Sequence, residues 1–195
     1  DGKYFDGKGT VSVYQGQIGI QTELDHYVVK PGEPMGVTAK VVTNDESKPV
    51  ANQKVNLEYG YYEWDKRRSH FVKQGETTGQ TDSHGSVHLS APAPDASDVE
   101  LRITTTDATG ATVGATTSLW VSSDYGHGGE LASLEVKLDR PRYQEGQVAQ
   151  ALILTDKPGG DALVTLEGRD VLWRSVVPLT GRSTMVSVPL KAGAF

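Results

Sequence analysis

Five histidines and no cysteine bound the chemistry this chain can carry. His84 and His88 stand four residues apart. On a strand that spacing puts two imidazoles on one face but roughly 13 Å apart along the chain. The turn sequence Asp82-Ser83-His84-Gly85 also separates them, so they do not make a zinc pair. Asp82 and Asp107 lie in turn sequences, where a carboxylate accepting backbone N–H bonds accounts for them. Asp124, Glu130 and Asp139 gather around a glycine-rich stretch. Oxygen ligands so placed between two β modules are the kind calcium takes, although the adjacent Gly128-Gly129 has the simpler reading of a flexible connection. Tyr59, Tyr61, Tyr62 and Trp64 could form a carbohydrate platform. Strand alternation splits them into Tyr59 with Tyr61 and Tyr62 with Trp64, so one pair is expected in a core and the other on a surface or inter-domain contact. Lys66-Arg67-Arg68 is the one dense basic cluster and reads as a solvated hairpin tip. The absence of Cys excludes a thiol nucleophile, a Cys-derived thioester, a disulfide and Cys-bound zinc. Neither Gly-x-Ser-x-Gly nor a phosphate-cradling glycine loop occurs. No residue is assigned a catalytic, cofactor-binding or metal-binding role, and the chain is expected to be neither an enzyme nor dependent on a cofactor.

The elements that would position these residues announce themselves through a repeat. Leu24-Asp25-His26-Tyr27-Val28-Val29-Lys30-Pro31-Gly32-Glu33-Pro34 leads into the alternating run Met35 to Val42. Leu138-Asp139-Arg140-Pro141-Arg142-Tyr143-Gln144-Glu145-Gly146 leads into Gln147 to Leu154. The two glycines are 114 residues apart, a period too long for a solenoid and about right for one β-sandwich per repeat. Asp25 and Asp139 occupy equivalent positions, which points to a shared turn or capping role.

Around this repeat the pattern is that of an all-β protein, with strands separated by turn signals and no helical periodicity. Ile18, Ile20 and Thr22 alternate. Met35, Val37, Ala39 and Val41 share a face opposite Thr38, Lys40 and Val42. Lys54 to Trp64 forms a strand with an aromatic end, Phe71-Val72 its return arm, and Thr77 to Thr81 a separate edge-like strand. Strands at Val87–Leu89, Val99–Thr105 and Val113–Val121 follow. The second unit supplies Leu134–Leu138, Val148–Thr155, Leu163–Leu166, Val171–Trp173, Val176–Val177 and Met185–Val188. The fold class is therefore tandem Ig/fibronectin-III-like antiparallel β-sandwiches. Residues 1–16, with the short strand Gly9–Tyr14 that resembles Ala115–Val121, read as the terminal strand of a preceding module. Residues 17–123 read as a complete sandwich, 124–130 as a glycine-rich linker that lets the modules rock unless their ends pack, and 131–195 as a second sandwich lacking one or two closing strands.

Charge is mixed, 19 basic against 25 acidic residues for a net of −6, which argues against a nucleic-acid partner. No apolar run approaches the roughly 20 residues of a membrane span, and no signal peptide is present. Asn44, Asn52 and Asn56 lack the glycosylation pattern. The start at Asp1 suggests a piece of a longer protein.

Tyr27 to Glu33, Lys48-Pro49-Val50-Ala51-Asn52-Gln53-Lys54-Val55, Thr81-Asp82-Ser83-His84-Gly85 and Ser118-Leu119-Trp120-Val121-Ser122 together resemble the macroglobulin domains of bacterial alpha-2-macroglobulins. In the second unit, Tyr143 to Ala149, Ala162 to Glu167 and Val171-Leu172 resemble the domain before or within the bait-region segment. The resemblance covers nearly the whole chain, and its specificity lies in the order and spacing of individually loose motifs. It implies a structural scaffold segment of a broad-spectrum protease inhibitor that traps proteases after bait cleavage, in a periplasmic or extracellular parent possessing further macroglobulin domains. The partners implied are those neighbouring domains, and proteases through the parent. The family's Cys-containing thioester and its long bait have no counterpart here, so no functional residue carries over. Two other readings stand beside it: an Ig-like repeat of a bacterial adhesin or surface stalk, and a β-sandwich accessory module of a secreted hydrolase.

Overall fold

A computed structural model describes residues 16–65, 68–122 and 134–191. The Gly9–Tyr14 strand, Lys66 and Arg67 of the basic tip, and the stretch holding Asp124, Gly128, Gly129 and Glu130 lie outside the described residues. All the regular structure described is β.

Eight strands build the first sandwich: β1 (Ile18–Leu24), β2 (Val28–Val29), β3 (Pro34–Thr43), β4 (Lys54–Asp65), β5 (Arg68–Gln80), β6 (Ser86–Pro92), β7 (Asp98–Thr106) and β8 (Thr112–Val121). One sheet has the order β1-β3-β6 and the other β2-β8-β7-β4-β5. Alternation decides which side chains meet between them. Met35, Val37, Ala39 and Val41 from β3 face Val55 and Leu57 of β4 and Val99, Leu101 and Ile103 of β7, and all of these are fully buried. A Val, Leu, Ile or Met buried to this degree contributes about 1.5–3 kcal/mol. The few polar groups inside are paired: the Thr81 hydroxyl donates to the Val50 carbonyl and accepts the Gln53 N–H.

Two details differ from the sequence pattern. Thr77–Thr81 is no separate edge strand, because β5 runs unbroken from Arg68 to Gln80 along β4, absorbing an irregularity in register at Tyr59/Gly60. The short β2, which runs parallel to β8, was not anticipated.

The second sandwich has β9 (Leu134–Leu138), β10 (Val148–Thr155), β11 (Asp161–Glu167), β12 (Val171–Pro178) and β13 (Ser183–Pro189). Val171–Trp173 and Val176–Val177 are one strand rather than two. The sheets are β13-β10-β9 and β11-β12. The glycine turn of the repeated motif takes one conformation in both places. Gly32 and Gly146 have φ of 81° and 82°, the left-handed region, and open space surrounds the position of a Cβ at each, so φ alone calls for glycine. Gly32 N–H donates to the Ala93 carbonyl and Gly146 N–H to that of Leu190. Glu33 and Gln147 each turn a side-chain oxygen back onto the N–H three residues earlier, at 2.8 Å in both cases.

The second sandwich covers its core less fully. Leu134, Val136 and Leu138 pair with Thr155, Ile153 and Ala151, which places them on the core side of their sheet, yet each is about half exposed. In the first sandwich β8 lies against the equivalent strand β1 and Leu24 is buried. Among the described residues β11 pairs only with β12, whereas its counterpart β4 pairs with both β5 and β7.

Candidate functional site at the junction of the sandwiches

The segment after β1 leaves its sheet at Asp25 and reaches both sandwiches. Tyr27 accepts a hydrogen bond from Trp120 N–H at 2.8 Å through its carbonyl and donates its own N–H to the Asp139 carbonyl at 2.5 Å. Val28 then packs with Leu152 and Leu154 of β10, with Trp120 and Met185 against them. Leu152 and Leu154 point away from their own core and are nonetheless fully buried. The Lys137 ammonium lies 4.8 Å from the centroid of the Trp120 ring, a cation–π contact across the same boundary.

Asp139 anchors the far side. Its carboxylate accepts the Tyr143 hydroxyl at 2.5 Å, the Gln150 N–H at 2.7 Å and Arg140 Nε at 3.2 Å. His26 Nδ1 approaches from the first sandwich to 3.7 Å. Burial would raise the pKa of this carboxyl, but the Tyr143, Gln150 and Arg140 donors outweigh it and hold it below the ordinary carboxylate range. Burial and the bond to Asp139 together push the Tyr143 hydroxyl up to about 12. On β7, Asp98 faces Trp120 across the ladder. Although Asp98 keeps an exposed edge, partial desolvation and the nearby Glu100 raise its pKa, against the pull of Lys137.

The equivalent face of the first sandwich shows why only one such junction forms here. Asp25 and Asp139 share the same backbone bond, to the carbonyls of Gly36 and Gln150. Their side chains then diverge. Asp25 pairs with His88 Nε2 at 2.9 Å, and Gly36 makes room for that pair, since a Cβ there would stand 1.8 Å from Asp25 Oδ2. By register, Thr38, Lys40 and His88 occupy the places that Leu152, Leu154 and Met185 hold in the second sandwich. The first face is polar and lies in solvent; the second is apolar and covered.

The remaining candidates fall into place individually. His84 sits exposed in its turn and His88 is committed to Asp25, so the two are not brought together. Asp82 Oδ1 accepts the N–H groups of His84 and Ser86. Asp107 accepts Thr109 and Ala111 through one oxygen and Gln17 N–H through the other, and the Thr109 hydroxyl leads these donors in holding it down to about 2. A concavity beside Asp107, lined also by Asn44 and Gln53, presents no nucleophile paired with a base. For calcium, Asp139 is spent on protein donors. Among the described residues no three His, Asp or Glu side chains are grouped to hold a metal ion. Tyr59 and Tyr61 pack on the core, while Tyr62 and Trp64 face outward. Arg68 is exposed. The junction residues His26, Tyr27, Trp120, Lys137, Leu152, Leu154 and Met185 were not singled out from sequence. One signal was available: the run Ala151 to Leu154 is apolar on both strand faces, where the first copy alternates.

No family model matches the chain, and no curated protein matches it in sequence. Solved structures that resemble it include native alpha-2-macroglobulin of E. coli, at 10% identity and a TM-score of 0.44 over 93% of this chain and 13% of that one. Salmonella alpha-2-macroglobulin reacted with methylamine gives 11% identity and 0.40, again over 93% and 13%. Spo0M, a sporulation control protein of Bacillus subtilis, gives 11% and 0.39 over 89% of this chain and 91% of that one. The chain thus spans about an eighth of the length of those macroglobulins. Overlaps this loose carry no argument about function, which rests on the chain's own residues.

Proposed function

We propose that the chain is a scaffold segment of a bacterial alpha-2-macroglobulin-like protease trap, acting in the periplasm or at the cell exterior. In this role it fixes the angle between successive β-sandwich domains so that movement after bait cleavage passes along the array. The junction carries this reading. A dry contact through Val28, Leu152 and Leu154, stitched by the Tyr27–Asp139 backbone bond, couples two sandwiches that a bare linker would leave free to rock. The order of the family-like motifs supports the same role. Its partners are further domains of the parent chain. The half-exposed row Leu134, Val136 and Leu138, and the side of β11 that pairs with no strand among the described residues, are where strands from such a neighbour would close the second sandwich. Proteases would be met through the parent, not through this segment, which performs no catalysis.

The test is made on the parent protein and on the segment. Incubated with several unrelated proteases, the parent should be cut in a bait outside residues 1–195 and should then protect a large protein substrate. The 195-residue chain alone should neither inhibit nor hydrolyse. Inhibition by the isolated chain, or a parent that is inert towards every protease tried, overturns the proposal.

A further inference from the structure

The pole of the first sandwich that lies away from the junction holds a cleft of about 680 Å³, between the start of β1, the end of β3 and the β7–β8 turn. The chain enters the sandwich beside it, at Gly16. Asn44 Nδ2 donates to the carbonyls of Gly16 and Ile18 at 2.8 and 3.0 Å, and Gln17 N–H donates to Asp107 Oδ2 at 3.0 Å. Gly16 fits so closely that a Cβ there would stand 2.9 Å from Asp107 Oδ2 and 3.0 Å from a Val113 methyl. These contacts fix the direction from which the preceding residues arrive. The polar groups of the cleft are already used within the protein. Asp45 Oδ1 accepts the Glu46 N–H at 2.7 Å, and Gln53 Nε2 donates to Thr105 Oγ1 and the Thr106 carbonyl at 2.6 and 2.8 Å. The wall that remains is mainly apolar, with Ile18 and Val50 in it. Such a surface suits an apolar or aromatic side chain rather than a cation or a charged ligand.

We infer that the cleft is the seat of Tyr14, a residue of the entering segment outside the described residues. Tyr14 stands two residues before Gly16, so its Cα is within about 7 Å of Gly16 and its ring reaches the cleft. The sequence points to the same residue. Val11-Ser12-Val13-Tyr14 follows the pattern of Thr117-Ser118-Leu119-Trp120. Trp120 packs across the boundary onto the following sandwich, and Tyr14 holds the same place before this one. The surface it meets must differ. The outer face that receives Trp120 in the second sandwich is apolar, whereas Thr38, Lys40 and His88 make the equivalent face here polar. The connection is also shorter. Tyr14 precedes Ile20 by six residues, while Trp120 precedes Leu134, the register equivalent of Ile20, by fourteen. A short tether held by the Asn44 and Asp107 bonds gives the ring a high effective concentration at the cleft, which favours it over a second copy or a free ligand. The seat lies at the far end of β7 and β8 from the junction, and its failure leaves the scaffold reading standing.

The experiment is NMR on the 195-residue chain, native and carrying Tyr14→Ser or Tyr14→Phe, with circular dichroism to show that each variant folds. The Tyr14 ring should show nuclear Overhauser contacts to the methyl groups of Ile18 and Val50. Exchange of the Gln17 amide should speed up by about tenfold or more in Tyr14→Ser, as the cleft loses its aromatic ring, and should stay near the native rate in Tyr14→Phe. The inference is overturned if the contacts are absent, or if Tyr14→Ser leaves Gln17 exchange unchanged. It is equally overturned if the ring instead contacts Thr38 and His88 on the sheet face, or if mixed isotope labelling shows that the contacts come from a second copy.

Discussion

Replacing Leu152 by Thr and Leu154 by Lys gives the second sandwich the residues that the first carries at the same two positions, Thr38 and Lys40. The first sandwich folds with those residues on its outer face, so the exchange leaves the second fold intact and removes only what the junction adds. Both leucines are fully buried, against Val28, Trp120 and Met185. At about 1.5–3 kcal/mol for each buried leucine, the pair contributes about 3–6 kcal/mol to the coupling of the sandwiches. What remains is the Lys137–Trp120 contact, about 0.5–1 kcal/mol, and the Tyr27–Asp139 hydrogen bond, about 1 kcal/mol. Neither is enough to hold the domains together alone. In a unit of this size each kcal/mol moves the midpoint by about 2–4 °C. Scanning calorimetry should therefore show the unfolding of the double variant separating into two transitions, the lower displaced by on the order of 10 °C. Hydrogen exchange at the Tyr27 and Val28 amides should accelerate in parallel. The reverse exchange, Thr38→Leu with Lys40→Leu, should leave these amides unchanged. If the double variant keeps a single transition at the native midpoint and native exchange rates, the junction does not couple the sandwiches and the scaffold argument loses its basis.

The other predictions concern single sites. Asp139→Asn should destabilise the chain at pH 7 by about 1–3 kcal/mol. Because the folded pKa of Asp139 is depressed, its contribution is present above the ordinary carboxylate pKa and lost as pH falls through the folded value, so urea curves of variant and native protein should converge in acid. Asp107→Asn follows the same sign, its deficit at neutral pH closing between about pH 4, the ordinary carboxylate value, and the folded value of about 2. Gly32→Ala and Gly146→Ala should cost similar amounts, about 1–2 kcal/mol each by chemical denaturation, because both positions demand φ near 80° with nothing crowding the Cβ. A large inequality would mean the repeat is not structurally equivalent. Gly36→Ala should instead act through crowding, breaking the Asp25–His88 pair at about 1–3 kcal/mol. Its NMR mark would be a displaced chemical shift of the His88 ring as the 2.9 Å contact with Asp25 is lost, which Gly32→Ala should not produce.

Although it divided β5 and β12 and passed over the two-residue β2, the sequence by itself determined the all-β character, the inward faces of the main strands and the two entry turns. These are set by side-chain period and backbone φ, properties of a few neighbouring residues. Met35 to Val41 could only be a core face, and Pro31-Gly32 only a turn. The split of the four aromatics into Tyr59 with Tyr61 and Tyr62 with Trp64 was legible for the same reason. The tertiary structure alone decided what covers an outward face. Leu152 and Leu154 alternate out of their core just as Thr38 and Lys40 do, and only the arrival of Val28 and Trp120 makes them buried. It also decided that Asp25 pairs with His88 and that Asp139 sits at a domain boundary, although both follow a leucine in the same motif. Such outcomes depend on groups distant along the chain, and no local period encodes which of them will meet.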